Sequence, residues 1–254
     1  MRKSIRIQKI LNIIQTDSVL DVNKMASMLD VTPKTIRLDL QTLEDAGQLK
    51  RIHGGAIKIS KSNSLVLPSE RNEHLEEKKA IARKALSLIN ENDIIVLDAG
   101  STTYELAKLL GDFDVSVITN DVQIIYELAF KEKVSLFIAG GLVQESKQSK
   151  PIIGEDAVDF FQKYHAIKTF ASASAIDLEK GATIYDYGDH QVKKTIVDCA
   201  ENLYFLVDSH KIGKCGFAKT AEIGKIQNLI TDRGLSQSEA EKFRKKGVKI
   251  HYAD

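Results

Sequence analysis

The chain has 254 residues, of which 43% are hydrophobic, and a formal net charge of +1. This length and apolar content allow a sizeable core and favour two domains, one small and one of medium size. The near-neutral charge argues against a protein that coats nucleic acid indiscriminately. The sequence shows neither a secretory leader nor an apolar run of about eighteen residues, so we expect a soluble, cytoplasmic protein without a membrane partner.

The first sixty residues are the basic part of the chain. Residues 1–60 contain ten Lys and Arg against six Asp and Glu, whereas residues 61–254 contain 26 against 29. Residues 22–29 predict a short helix, and Thr32 before Pro33 predicts the N-cap and the first position of the next one. A further amphipathic helix is predicted ahead of both by apolar residues at helical spacing: Ile7, Ile10, Leu11 and Ile14.

The helix that begins at Pro33 is predicted to bury one face, which carries Ile36, Leu40 and Leu43, and to expose the other. Its outward positions are candidates for contacts with DNA bases: Lys34, Thr35, Arg37, Leu38 and Gln41. Residues 49–59 predict two strands joined by a turn at paired glycines, the wing of a winged helix-turn-helix. The wing adds three candidates for phosphate contacts: Lys50, Arg51 and His53.

These elements are typical of a winged helix-turn-helix domain over residues 1–60 that binds double-stranded DNA. Helix-turn-helix pairs also occur as structural elements in enzymes and scaffolds, and the pattern alone leaves that alternative open. A reader of single-stranded RNA is not favoured, because the chain has no Trp and its first sixty residues offer few aromatic side chains for stacking.

The remainder of the chain predicts a linker and a larger α/β domain. Residues 61–72 are polar, contain Pro68 and show no lasting period, as expected of a linker between domains. Residues 73–254 begin with a helical pattern and then alternate between short apolar runs and helical patterns, which predicts a mostly parallel sheet covered by helices. The apolar runs lie at residues 94–97, 115–118, 134–138, 167–171, 203–207 and 229–230.

Polar and small residues follow several of these predicted strands. Ligands bind beyond the carboxyl ends of strands in such sheets, and backbone N–H groups at a helix start favour a phosphate. The candidates for effector binding are Asp98, Gly100, Ser101, Thr102, Thr103, Asn120, Gly140, Gly141 and Lys211. Alternatives stay open, because the hydroxyls can simply cap a helix and Asn120 can simply form a turn. Lys193 and Lys194 begin a predicted helix, and we expect them at the surface.

Residues 35–56, TIRLDLQTLEDAGQLKRIHGGA, resemble the signature of the DeoR family of bacterial transcriptional regulators, and DAGSTT, ITN, AGG and DSHKIG follow in the family's order. The resemblance implies a carboxy-terminal domain similar to ribose-5-phosphate isomerase that senses phosphorylated sugars. The sequence departs from the family at Leu38, where a second Arg is usual. It also departs at residues 171–175, where small glycines are common and a narrower pocket floor is implied.

We therefore expect a transcriptional regulator, a repressor of a sugar-metabolism operon, whose affinity for its operator changes when a sugar phosphate binds. Two operator half-sites need two copies of the reading helix, so a homo-oligomer, dimer or tetramer, is expected. Cys199 and Cys215 are expected as free, unreactive thiols, and we predict no cofactor and no metal. The alternative is a sugar-phosphate isomerase with a fused helix-turn-helix, for which the candidate carboxylates are Asp98, Asp121, Asp177, Asp186 and Asp208.

Overall fold

The computed structural model describes residues 6–7, 9–10, 13, 19–45, 49–52, 55–58, 73–144 and 149–254. These divide into two compact units, residues 1–66 and residues 67–254. The predicted linker at 61–72 and the wing residue His53 lie outside the described residues, as does the side chain of Lys50. The exact domain limits given above stay a prediction.

The first unit is a small helical domain with a three-stranded antiparallel sheet. Its elements are β1 (Val19–Asp21), α1 (Val22–Leu29), α2 (Pro33–Asp45), β2 (Leu49–Ile52) and β3 (Gly55–Lys58). The strands are ordered β1-β3-β2. The sequence predicts the hairpin of β2 and β3, but β1 is an addition to it. Gly55 lies directly against the backbone of Leu20 in β1, where a side chain on Gly55 would collide with the Leu20 carbonyl oxygen.

Helix starts in this unit follow from local capping. Asp21 accepts hydrogen bonds from the backbone N–H groups of Asn23 (2.9 Å) and Lys24 (2.8 Å), and α1 begins there. Thr32 accepts one from the backbone N–H of Thr35 at 3.3 Å, as its predicted capping role requires. The predicted buried face of α2 is confirmed, since its three apolar residues are almost fully buried among the side chains of α1, β1 and β2.

The second unit has a seven-stranded sheet in which every neighbouring pair is parallel, as the alternating apolar runs predict. Its elements in chain order are α3 (Leu75–Leu86), β4 (Ile94–Leu97), α4 (Ser101–Lys108), β5 (Val115–Thr119), α5 (Val122–Leu128), β6 (Val134–Ile138), β7 (Leu142–Val143), β8 (Ile152–Ile153), α6 (Glu155–Lys163), β9 (Lys168–Ala171), β10 (Ala175–Asp177), β11 (Gly181–Ile184), α7 (His190–Asp198), β12 (Leu203–Leu206), β13 (Ala218–Ala221), β14 (Asn228–Thr231), α8 (Gln237–Lys245) and β15 (Lys249–Tyr252).

Strand order explains where a ligand can bind. The large sheet runs β15-β14-β12-β9-β4-β5-β6, so the chain builds outward from β4 in one direction and returns to the other side of β4 at β9. The carboxyl ends of β4 and β9 therefore flank the point at which the order reverses, where parallel sheets open a crevice. A smaller antiparallel sheet is formed by β10, β11 and β13, which follow β9 in the chain. The sequence analysis does not predict it.

Helices cover both faces of the large sheet. Ile95 and Leu97 of β4 pack in one cluster with residues of α3, α4 and α5, whereas Val96 packs in another with residues of α6 and α7. This alternation within one strand is the reason that β4 reads as a continuous apolar run. The predicted mixed α/β class, with an amino-terminal helix-turn-helix, is confirmed. Among the residues that the structure describes, no helix has the length and apolar character needed to span a bilayer.

Candidate functional site

The exposed face of α2 carries the residues proposed above to read DNA bases. Lys34, Arg37 and Leu38 are exposed, the last by 62%, whereas Thr35 and Gln41 are half-buried. The hydroxyl of Thr35 lies 2.9 Å from that of Thr32, so part of its hydrogen-bonding capacity is used within the turn. The exposed set therefore offers two cations and one apolar side chain.

The wing is attached to the end of α2 by two contacts of Arg51. Its backbone N–H donates to Glu44 at 2.8 Å, and its guanidinium donates to the side-chain oxygen of Gln41. Since Arg51 is exposed, its cation remains at the surface beside α2. The wing and the helix are thus held together before any DNA is bound.

Asp39 is a residue of α2 whose role the sequence analysis missed. It is 1% exposed, and both of its carboxylate oxygens are bonded to the guanidinium of Arg6, itself buried. An acidic residue in a reading helix would repel phosphate if it faced DNA. Here it instead ties α2 to the helical segment near the start of the chain. The ion pair cannot be recognised in the sequence, because its two residues are 33 positions apart.

In the second unit, a cavity of about 470 Å³ opens at the carboxyl ends of β4 and β9. Such a volume suits a small organic ligand. Hydroxyl-bearing and charged side chains are frequent in its lining, which comprises Ala99, Gly100, Ser101, Thr102, Ser149, Ser172, Ala173, Ser174, Ile184, Tyr185, Asp186, Tyr187, Asp189, Lys193 and Lys211.

The amino-terminal end of α4 forms one side of the cavity. Ser101 and Thr102 occupy its first two positions, where backbone N–H groups have no partner within the helix. Gly100 precedes them with an extended backbone that any residue can adopt, so the backbone conformation does not require a glycine here. The lack of space requires it instead, because a Cβ on Gly100 would lie 2.5 Å from the hydroxyl of Ser172.

Lys193 is the main correction to the sequence analysis, which expects it at the surface. It is 7% exposed and lines the cavity, with its Nζ 2.8 and 2.7 Å from the two carboxylate oxygens of Asp98. The same Nζ donates to the hydroxyl of Ser172 at 3.0 Å and lies 3.3 Å from Asp189. Lys194, the next residue, is exposed as expected.

Lys193 and Asp189 alter each other's pKa. Burial lowers the pKa of Lys193, but the charges of Asp189 and Asp98 and their hydrogen bonds outweigh it, so the pKa lies above its ordinary value. Burial raises the pKa of Asp189 to about 7, against the attraction of Lys193 and with added repulsion from Asp98. One oxygen of Asp189, Oδ1, is buried without a hydrogen-bond partner among the described residues. It is a free acceptor beside the cavity.

Several predicted effector residues lie apart from the cavity lining among the described residues. The Thr103 hydroxyl donates to the carbonyl oxygens of Asp98 (2.6 Å) and Gly100 (2.9 Å), so it holds the turn that precedes α4. Asn120 is fully buried and donates to the carbonyl of Ile152 at 3.1 Å. The sequence cannot distinguish these from Ser101 and Thr102, because all four are polar residues at strand ends.

Gly140 and Gly141 likewise do not line the cavity. Gly141 has a φ of +141°, and a side chain there would collide with the carbonyl oxygen of Ile153 in β8. Its role is the close approach of the β7 and β8 backbones. The two glycines therefore stay predicted effector residues that lie outside the lining of this cavity, whereas Lys211 does line it, with its Nζ 3.5 Å from Asp208.

Three of the five carboxylates that the isomerase alternative could use have structural contacts. Asp121 caps α5 through the N–H groups of Gln123 (2.7 Å) and Ile124 (3.4 Å). Asp177 accepts from two N–H groups in the β10–β11 turn, which together hold its pKa below the ordinary value despite partial burial. Asp98 is neutralised by Lys193. These contacts account for three of the five candidate carboxylates without proton transfer, whereas Asp186 lines the cavity.

The two cysteines are free and exposed, so neither lines a core. Burial raises the pKa of the Cys199 thiol, with a smaller contribution from the charge of Asp198. A raised pKa reduces the fraction of reactive thiolate at neutral pH. This agrees with the expectation that Cys199 is unreactive.

An exposed surface on α2 beside a wing, and a polar cavity in a parallel α/β unit, define a DNA-binding protein with a ligand-sensing domain. Family comparison agrees on both parts. Residues 6–62 match the DeoR-like helix-turn-helix domain and residues 73–233 match the DeoR C-terminal sensor domain. The chain belongs to the DeoR family of helix-turn-helix transcriptional regulators.

The similarity to known regulators extends over almost the whole chain. The uncharacterized HTH-type transcriptional regulator YulB of Bacillus subtilis is 34% identical, with 96% of this chain and 95% of that protein covered. The HTH-type transcriptional regulator GolR of Listeria innocua is 30% identical, with 98% of each covered. The HTH-type transcriptional repressor GlcR of Bacillus subtilis is 30% identical, with 96% and 94% covered.

Among solved structures, ribose 5-phosphate isomerase A of Methanocaldococcus jannaschii aligns with 56% of this chain and 55% of its own, at 20% identity and a TM-score of 0.39. The family match shows that the chain is a regulator, and the isomerase alternative is not retained.

Proposed function

We propose that this regulator represses an operon of sugar metabolism by binding operator DNA through α2 and the wing, and that a phosphorylated sugar in the cavity changes its affinity for the operator. The observation that carries the proposal is the cavity at the reversal of strand order, lined by the start of α4 and by Lys193 and Lys211. The name of the relative GlcR, a transcriptional repressor, supports the direction of control.

The charge distribution suggests how a sugar phosphate would lie. Lys193 is compensated by Asp98 and Asp189, so that end of the cavity has no surplus positive charge for a phosphate. The start of α4 has unpaired N–H groups and the hydroxyls of Ser101 and Thr102, which suit a phosphate group. The free Oδ1 of Asp189 suits a sugar hydroxyl. We therefore infer that the phosphate binds at α4 and the hydroxyl chain extends toward Asp189.

A self-associating sensor unit is part of this proposal, since two half-sites require two reading helices. The edge strand β6 and the neighbouring β7 expose large apolar side chains, and so do α5 and the residues that follow it. They are Tyr126, Phe130, Phe137, Ile138, Leu142 and Val143. Exposed apolar side chains on an unpaired sheet edge favour association, and we infer that a second copy of the chain covers this edge.

The experiment is a gel shift with DNA from upstream of the regulator's own operon, performed with and without a panel of sugar phosphates. We expect a sequence-specific shift that one sugar phosphate weakens or abolishes while its unphosphorylated sugar does not. Unrelated DNA of equal length is the control, and we expect no shift with it. If no sugar phosphate alters the shift, the proposed class of effector is wrong. If the protein binds all DNA with equal strength, the proposed sequence-specific binding to an operator is wrong.

A further inference from the structure

Two histidines from distant parts of the sequence meet at the start of α3. The imidazole rings of His74 and His210 are stacked with their centroids 3.7 Å apart and their planes 19° from parallel. Glu77, in the first turn of α3, places a carboxylate oxygen 3.9 Å from His74 Nδ1. One ligand atom from each of the three residues lies within 4.8 Å of the others.

A fourth group points independently to a ligand at this place. Asp208 is fully buried at the end of β12, and neither of its carboxylate oxygens has a hydrogen-bond partner among the described residues. Its Oδ1 lies 3.8 Å from Nδ1 of His210. Lys211 Nζ lies 3.5 Å from Oδ2 and offsets the charge without a hydrogen bond, so both buried oxygens can still accept a ligand such as a bound cation.

We propose that His74, Glu77, His210 and Asp208 form a binding site for a divalent transition-metal cation of the zinc type. Two imidazoles and two carboxylates are donors that suit tetrahedral Zn²⁺, and both carboxylates attract the ion, although Lys211 offsets the charge of Asp208. Coordination at about 2.0–2.2 Å requires the donor atoms to close in from their present spacing. It also requires the stacked rings to rotate apart, because an ion shared between parallel rings lies outside both ring planes.

The side chains of His74 and His210 can make that movement. Their side chains are 38% and 50% exposed, respectively, so rotation does not disturb a packed core. Lys211, beside His210, lines the cavity. A bound cation would therefore tie the start of α3 to a loop of the effector cavity, and this consequence alone rests on the proposed function.

The test measures zinc binding without DNA or effector, so its failure is separate from failure of the proposed function. Full-length protein without a polyhistidine tag, carrying Cys199→Ser and Cys215→Ser to remove thiol ligands, is stripped with a chelator. It is then titrated with Zn²⁺ in a calorimeter, and bound metal is counted by mass spectrometry. Co²⁺ replaces Zn²⁺ in a parallel titration, because tetrahedral Co²⁺ absorbs visible light strongly.

We expect one Zn²⁺ per chain and a tetrahedral Co²⁺ spectrum. His74→Gln and His210→Gln should each weaken binding by at least about tenfold, the lower end of the loss on removing even outer-shell partners. His165→Gln replaces an exposed histidine outside the cluster and should bind as the parent does. Absence of stoichiometric binding overturns the proposal, and so does equal affinity of His74→Gln, His210→Gln and the parent.

Discussion

Lys193 Nζ lies 2.8 and 2.7 Å from the two carboxylate oxygens of Asp98, a residue 95 positions earlier in the chain. The pair joins α7 to the end of β4, and both side chains are almost completely buried. A buried ion pair adds little net stability compared with apolar residues of the same volume, but removing one partner leaves an uncompensated charge. The cavity wall therefore depends on both residues being present together.

Replacing Lys193 with Met should lower the free energy of unfolding by roughly 3–5 kcal/mol, because Asp98 and Asp189 then stay buried without a cation. Urea-induced unfolding followed by circular dichroism measures it. Lys194→Met, at the exposed neighbouring position, is the matched control and should change stability by no more than about 0.5 kcal/mol. Adding Asp98→Asn to Lys193→Met should recover part of the loss, and equal stability of Lys193→Met and the parent would contradict the buried pair.

The raised pKa of Asp189 predicts a specific pH dependence of stability. Its pKa is about 7 in the folded chain, against an ordinary value of 3.8, so the folded state binds the proton more tightly than the unfolded state. The cost of burying the charged form is present in full above about pH 7 and is relieved as the pH falls toward 3.8. The parent should therefore gain stability relative to Asp189→Asn over that window, by at most about 1.4 kcal/mol per pH unit.

The measurement compares the unfolding free energies of the parent and of Asp189→Asn in urea at several pH values from 8 to about 5. Taking the difference between the two proteins cancels the titration of the other carboxylates, provided that they are unaffected by the substitution. Two curves that run parallel across this range would show that Asp189 titrates as an ordinary carboxylate.

Sequence periodicity predicts most of the fold, as β4 and α2 illustrate. Ile95–Leu97 of β4 are buried by helices on both faces, and the spacing of Ile36 and Leu40 marks the one buried face of α2. The small antiparallel sheet was missed for a physical reason. Its strands have only three or four residues and include small or polar ones, such as β13 with Ala218–Ala221, so neither a period nor a long apolar run distinguishes them from loops.

The position of the cavity was predictable from the sequence, but its side-chain contacts were not. The strand-end rule directed attention to Ser101 and Thr102, which line the cavity, yet it gave equal standing to Thr103, whose hydroxyl bonds to backbone. Lys193 was missed because a lysine at a helix start has the same sequence pattern whether it is exposed or buried. Its burial depends on Asp98, and only the folded sheet brings the two together.

DNA recognition should separate into two kinds of effect. Arg37→Ala removes an exposed cation from the reading face of α2 and should cost about 1–3 kcal/mol of specific operator affinity if it contacts a base. Arg51→Ala and Lys50→Ala should instead weaken binding to all sequences and reduce the slope of log K against log salt by about one. Fluorescence anisotropy with operator and unrelated DNA at several salt concentrations measures both.

Leu38→Arg provides the converse variant, because it adds a cation at an exposed position of the same face. It should strengthen binding to unrelated DNA and steepen the salt dependence. Unchanged operator affinity in Arg37→Ala would show that this face of α2 does not read the operator.

Self-association should depend on the sensor unit. Leu142→Glu and Phe137→Glu place a charge among the exposed apolar side chains of β6 and β7, and should shift the full-length chain toward monomer. Met28→Glu makes the same change at an exposed position of the DNA-binding unit and is the control. Light scattering after size exclusion measures the mass. A monomeric parent, or an oligomer that survives both sensor substitutions and not Met28→Glu, would move the interface elsewhere.

Effector binding should depend on which hydroxyl faces the cavity. Ser101→Ala combined with Thr102→Ala removes two hydroxyls at the start of α4, and each hydrogen bond to a charged group contributes about 1.5–3 kcal/mol, so affinity for a sugar phosphate should fall at least tenfold. Operator binding without effector should stay as in the parent, which leaves a regulator that no longer responds. The unphosphorylated sugar should bind weakly to both proteins, because it lacks the charge that the helix start favours.

Thr103→Ala is the matched control for that double variant, since its hydroxyl donates to the carbonyls of Asp98 and Gly100 and not into the cavity. It should lower the unfolding free energy by about 1 kcal/mol, as expected for a lost hydrogen bond within a turn, while a sugar phosphate still binds. Titration calorimetry across a panel of sugar phosphates compares the three proteins. If Thr103→Ala loses the effector and the Ser101→Ala/Thr102→Ala variant retains it, the phosphate does not bind at the start of α4, and the ligand must lie elsewhere in the sensor unit.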